Sequence, residues 1–125
     1  MRKNLHFEQK CDGHIVRVSV TGPLFRWNVK LFCKAFQDEL AKNHNKNITR
    51  IWLDLEKVTL LDDYTILRLQ ALLCEMNNSS LELIGQNVLF ELIAGSAQNH
   101  QRILKHVGLS VRCHTDRMNA LNSNL

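Results

Sequence analysis

Residues 51–73, IWLDLEKVTLLDDYTILRLQALL, constrain the fold more than any other stretch. Ile51, Leu53 and Leu55 alternate with Trp52, Asp54 and Glu56, the period of two expected of a strand. Val58, Leu60 and Leu61 then carry the chain into Asp62 and Asp63. Beyond the two acids the apolar spacing changes. Ile66, Leu67, Leu69, Leu72, Leu73 and Met76 recur at helical intervals of about three to four. A strand therefore runs into an acidic turn, and a helix starts there. Asp62 or Asp63 can cap that helix by accepting its first free backbone N–H groups. Such a junction is a usual place for a site, because a helix N-terminus is positive and its donors are free.

A length of 125 residues suits one domain over 1–125, with a core over about 5–121. A hydrophobic share of 45% is enough for one core. No run of about 18 apolar residues exists, so no membrane insertion is expected. The first ten residues lack the apolar heart of a signal peptide. Cys11, Cys33, Cys74 and Cys113 are widely spread, and Cys33 and Cys74 sit on apolar helical faces. Both points favour reduced thiols and a cytoplasmic location. The net charge of +4 is spread along the chain without a basic, aromatic-interleaved run, so no nucleic-acid partner is expected.

Taken in order, 5–9 reads as a first strand and Asp12-Gly13 as a hairpin turn. A second strand over 14–20 is expected to stop at Gly22-Pro23. A helix follows over 27–43, with Val29, Phe32, Cys33, Phe36 and Leu40 on one stripe. The helix after the acidic turn is expected to end near Asn77-Asn78-Ser79-Ser80. Residues 81–84 are a strand candidate. The run NVLFELIA over 87–94 reads equally as a buried strand or as helix. Residues 97–107 are helix, 110–114 a short strand, and 116–121 a last short helix capped at Thr115 or Asp116. Trp27 and Trp52 read as core or core-edge residues, ahead of an exposed patch around Phe25 and Trp27.

Asp54-Leu55, Val58-Thr59-Leu60-Leu61 and Asp62-Asp63-Tyr64-Thr65 together resemble the STAS domain of anti-sigma factor antagonists and SulP anion transporters. The family places Asp-Ser-Ser-Gly, or a variant of it, where this chain has Asp62-Asp63-Tyr64-Thr65. Val20-Thr21-Gly22-Pro23-Leu24-Phe25 is similar to a phrase of the SulP-type members. The resemblance implies an α/β fold: a mixed sheet of four to five strands with about four helices packed mainly on one face. It leaves room for about one strand before the third helix. That favours 81–84 as the strand, with a helix beginning early, over 88–94.

The resemblance further implies a non-enzymatic regulatory module. Its protein partner would be an anti-sigma-factor-like kinase, an ABC ATPase or a transporter. Asp62, Asp63, Tyr64, Thr65 and Arg68 are then the candidate partner-binding residues. Tyr64 occupies the place of the serine that a partner kinase phosphorylates in the antagonists. Tyr64 and Thr65 are thus the candidate phosphorylation sites, but Asp62 and Asp63 would repel an added phosphate and Arg68 relieves only part of this. The turn is expected to work unphosphorylated, with binding dependent on its carboxylates. The alternatives are the cytoplasmic domain of a SulP-type transporter, or a small ligand-binding protein or enzyme using Asp62 and Asp63.

Catalysis by an Asp62–Asp63 dyad would require both carboxylates to face one substrate with their pKa values pushed apart. Helix capping is the plainer reading, and no catalytic residue is assigned. Zinc at Cys11-x2-His14 and Cys113-His114 would require four convergent ligands, yet adjacent strand residues point to opposite faces. No metal and no cofactor is expected.

Overall fold

The computed structural model describes residues 6–41, 48–84, 88–106 and 111–123. Strand β1 (His6–Asp12) turns into β2 (Ile15–Leu24), and the two pair antiparallel with Asp12 opposite Ile15. Helix α1 (Val29–Ala41) leads to β3 (Arg50–Leu61), α2 (Asp63–Ile84) to β4 (Leu89–Ile93), and α3 (Ala97–Leu104) to β5 (Cys113–His114). Helix α4 (Arg117–Asn122) closes the fold. The strand order is β1-β2-β3-β4-β5, with β2 to β5 parallel.

Crossovers of one hand that always step to the next strand deposit their helices on one face of a sheet. Helices α1, α2 and α3 accordingly bury one core with Val18, Leu53 and Leu92, which lie side by side in register. The expected stripe of α1 is buried there, as are Ile51, Leu53 and Leu55. The buried Gln70 amide donates from α2 to the Ile103 carbonyl of α3 at 3.0 Å. Helix α4 lies on the opposite face, where Ala120 packs with Trp52 and Ile93.

Four expectations require correction. The second strand does not stop at Gly22-Pro23 but continues to Leu24. Gly22 adopts φ 106°, and the register against β3 shifts there. Beyond Thr21, β2 has a neighbour on one flank only among the described residues, so the missing N–H of Pro23 is tolerated.

The second helix does not end at Asn77-Asn78-Ser79-Ser80 but runs 22 residues to Ile84. The turn-forming amide of Asn77 is used in tertiary contact instead. Its Oδ1 accepts the Phe90 N–H at 2.6 Å and its Nδ2 donates to the Phe90 carbonyl at 3.2 Å. Residues 81–84 are therefore helix, and the strand is the run the resemblance disfavoured. Leu89–Ile93 lies between β3 and β5 and is buried on both faces from Phe90 to Ile93, which is why its sequence, Glu91 apart, is apolar rather than alternating. Gly95 follows with φ 94°, and a Cβ there would stand 2.5 Å from Glu56 Cα.

The fourth correction is Trp27, which is 79% exposed whereas Trp52 is 4% exposed. Helix α1 begins at Val29, so Trp27 sits in the preceding turn and not on the stripe. Asn28, buried, holds this turn by accepting the Phe25 N–H at 2.9 Å and donating to the Pro23 carbonyl at 2.9 Å.

Candidate functional site

Asp62 is the cap of α2. Its Oδ1 accepts the Thr65 N–H at 2.9 Å, and its main-chain carbonyl accepts the Ile66 N–H at 3.1 Å. Its Oδ2 turns the other way and accepts the Arg26 N–H of the β2–α1 turn at 3.1 Å, with the Arg26 Nε at 3.8 Å. Partial burial pushes this carboxyl up, but the hydrogen bonds from Thr65 and Arg26 outweigh it and hold Asp62 below the usual carboxylate range. An acid so held stays ionised and is a poor proton donor.

Asp63 points elsewhere. Its Oδ1 meets Arg102 Nη2 of α3 at 3.0 Å, in solvent. The two neighbouring acids are thus each matched with a different arginine and do not converge on one point. Thr65 is fully buried, whereas Tyr64 is partly exposed and Arg68 exposed one turn further on. Tyr64 lines an open, shallow cleft of about 400 Å³ together with Arg26, Trp27 and Lys30. One turn along, a second shallow groove of about 250 Å³ runs between Cys33 and Gln37 of α1 and Arg68, Ala71, Leu72 and Glu75 of α2. Leu31 and Leu67 are also exposed on these two helices. The loop after Gly22-Pro23 and the start of α2, separate in sequence, form one surface.

Sequence reasoning missed Arg26 and Arg102, because both act across long stretches of chain. It also missed a polar cluster on the opposite face. Glu91, fully buried, accepts from Arg50 Nε at 2.7 Å and Trp52 Nε1 at 2.9 Å, and lies 3.1 Å from His114 Nε2. Arg50 also donates to the Ala120 carbonyl at 3.0 Å and to Ser123 Oγ at 3.2 Å, which ties α4 to the sheet. Burial pushes the Glu91 carboxyl up, but Arg50 and His114 outweigh it and hold it low. The lone acid inside VLFELIA was the available signal, since an acid in a buried strand requires partners. Beside this cluster a cleft of about 560 Å³ lies between the β1–β2 hairpin and α4, lined by Lys10, Ile15, Arg17, Trp52, Arg117 and Met118 among others.

None of the four cysteines is in a disulfide. Cys11 is on β1 and Cys113 on β5, at opposite edges of the sheet. Cys113 packs against the helical core, and burial pushes its thiol up to about 12, while His114 faces Glu91 on the other side. Cys113 and His114 therefore cannot share an ion, and a protonated thiol is neither ligand nor nucleophile.

No family model matches this sequence, and no curated protein matches it. Solved structures do. An anti-sigma factor antagonist from Mycobacterium paratuberculosis superposes with a TM-score of 0.66 at 18% identity, over 94% of this chain and 91% of that one. A candidate anti-sigma factor antagonist from Thermotoga maritima gives 0.66 at 24% identity, over 92% and 91%. The murine Solute Carrier 26 family member A9 anion transporter gives 0.64 at 15% identity, over 90% of this chain but 18% of the transporter. Among the described residues no helix is long and apolar enough to cross a membrane. The mixed five-stranded sheet with four helices is the fold of these antagonists and of that part of the transporter: the chain has the STAS fold.

Proposed function

We propose that this chain is a non-enzymatic regulatory module of the cytoplasm that docks on a protein partner through the α2 turn and the helix face behind it. The observation that carries the reading is the double use of Asp62, which draws the β2–α1 turn against the start of α2 and leaves Trp27 and Tyr64 exposed side by side. Trp27, at 79% exposure, and Tyr64 beside it form a contiguous exposed aromatic patch, the kind that marks an interaction site. Asp62 and Thr65 shape the surface from within, Asp63 borders it, and Tyr64 and Arg68 face the partner. Kinase-like anti-sigma factors, ABC ATPases and transporters are the partner classes that fit. Thr65, fully buried, is closed to a modifying enzyme, and Tyr64 operates without phosphate.

The test is capture from the native cells with three tagged forms: the parent chain, a Tyr64→Ala/Leu67→Glu variant, and a Met118→Glu/Leu121→Glu variant on α4. Proteins retained by the parent should be kept by the α4 variant and lost by the α2 variant. Equal retention by all three rejects the reading. Stoichiometric phosphate on Tyr64 in mass spectra of the native protein would replace it with a switch. The transporter match favours a second reading, a domain serving an anion transporter. Recovery of a membrane transporter as the retained protein would select it.

A further inference from the structure

We infer that the partner presents an acidic segment with an apolar face, laid along the seam between α1 and α2. The inference rests on the docking reading above and adds the partner's chemistry. The sequence shows an acidic turn, but the folded surface has the opposite sign. Asp62 is turned inward onto the Thr65 and Arg26 N–H groups. Asp63 is matched by Arg102. What remains along the seam is cationic on balance: Lys30 and Arg68 have no carboxylate within ion-pair distance among the described residues, and they outnumber Glu75, the one carboxylate among the residues lining the two clefts. Trp27 and Tyr64 in the first cleft, and Cys33, Ala71 and Leu72 in the second, supply the apolar part.

The two shallow clefts follow one another at helical spacing, Lys30 to Cys33 on α1 and Tyr64 to Arg68 on α2. A groove between two helices with apolar residues at such intervals is the shape that receives an amphipathic helix. Carboxylates on that helix would meet Lys30 and Arg68, and its apolar stripe would cover Trp27 and Tyr64. An anionic membrane surface could also meet a basic, tryptophan-bearing patch, but a bilayer is flat and offers nothing to fill a seam.

The experiment uses the full chain and the emission of its tryptophans, with Trp27→Phe to assign the signal, because Trp52 is buried. Two synthetic amphipathic helices share a leucine face and differ only in carrying glutamate or lysine on the other. The glutamate peptide should shift Trp27 emission and bind roughly tenfold or more tightly than the lysine peptide at low salt. A Lys30→Glu/Arg68→Glu variant, shown to be folded by circular dichroism, should invert the order. Tighter binding of the lysine peptide to the parent overturns the sign while leaving the docking surface standing. A Trp27 response to phosphatidylserine vesicles, with neither peptide bound, overturns the inference in favour of a membrane. No response to peptides or vesicles removes the docking surface as well.

Discussion

On the helical face of the sheet, Val18, Leu53 and Leu92 stand in register beneath α1 and α2, and the contact is apolar. On the other face of the same strands Arg50, Trp52 and His114 converge on the Glu91 carboxylate, and α4 covers only part of them. One face is held by surface removed from water, which is additive and tolerant of shape changes. The other is held by one ion and its partners, where each group depends on the rest. Loss of a methylene on the first face leaves a gap. Loss of the carboxylate on the second leaves a buried guanidinium without its counter-charge.

The largest effect should therefore come from the polar face. Glu91→Ala should cost about 3–5 kcal/mol in denaturant unfolding, the range for breaking a buried pair by removing one partner. Leu55→Ala on the apolar face should cost roughly 2–5 kcal/mol through lost transfer energy and the cavity left behind. If Glu91→Ala costs less than Leu55→Ala, the contrast between the faces does not hold.

Two buried acids sharpen it further, because they are shifted in opposite senses. Glu91 is held below its ordinary 4.5 by its partners, despite burial. Its contribution to stability is present above 4.5 and is lost as pH falls through the folded value. Asp54, whose close cations among the described residues are Arg17 at 3.7 Å and Arg117 at 3.9 Å, is raised above its ordinary 3.8, chiefly by burial. Its contribution is present below 3.8 and is lost as pH rises through the folded value. Glu91→Gln should flatten the acid limb of a stability–pH curve. Asp54→Asn should stabilise the protein at pH 7, by up to about 1 kcal/mol. A fall in stability at pH 7 on Asp54→Asn would show that its arginine contacts outweigh its burial.

The smallest losses of stability belong to the acidic turn, which lies outside both faces. Asp62→Ala should cost about 1–2 kcal/mol, the range of a lost helix cap. Asp63→Ala should change stability by less than about 0.5 kcal/mol, since its pair with Arg102 is in solvent. Thermal unfolding of the two variants side by side reads the difference.

The helical face was legible in the sequence because alternation in β3 and the stripe of α1 both report which side is buried. The second face was not, because Arg50, Asp54 and Glu91 carry the residue types of a wetted surface. The side-chain hydrogen-bond partners of Arg50 and Glu91 lie 23 to 73 residues away, so no local window contains the reason for their burial. Asn77 misled for a related cause: an amide that favours turns in isolation is held in a helix by a strand 13 residues on. The acidic turn was located correctly as a cap, but the sign of the surface around it depends on Arg26 and Arg102, and only folding brings those in.

The Asn77–Phe90 clasp has one further effect. Among the described residues strand β5 has two residues and pairs only with Leu92 and Ile93, so it stops short of Phe90 on that flank of β4. A flank of unpaired main chain is a template on which another molecule's strand can add, and the end state of such addition is a fibril. The amide of Asn77 occupies both the donor and the acceptor of Phe90 in the way a neighbouring strand would. A single side chain thus serves as a one-residue strand, and it closes to edge-to-edge aggregation the position that β5 leaves open.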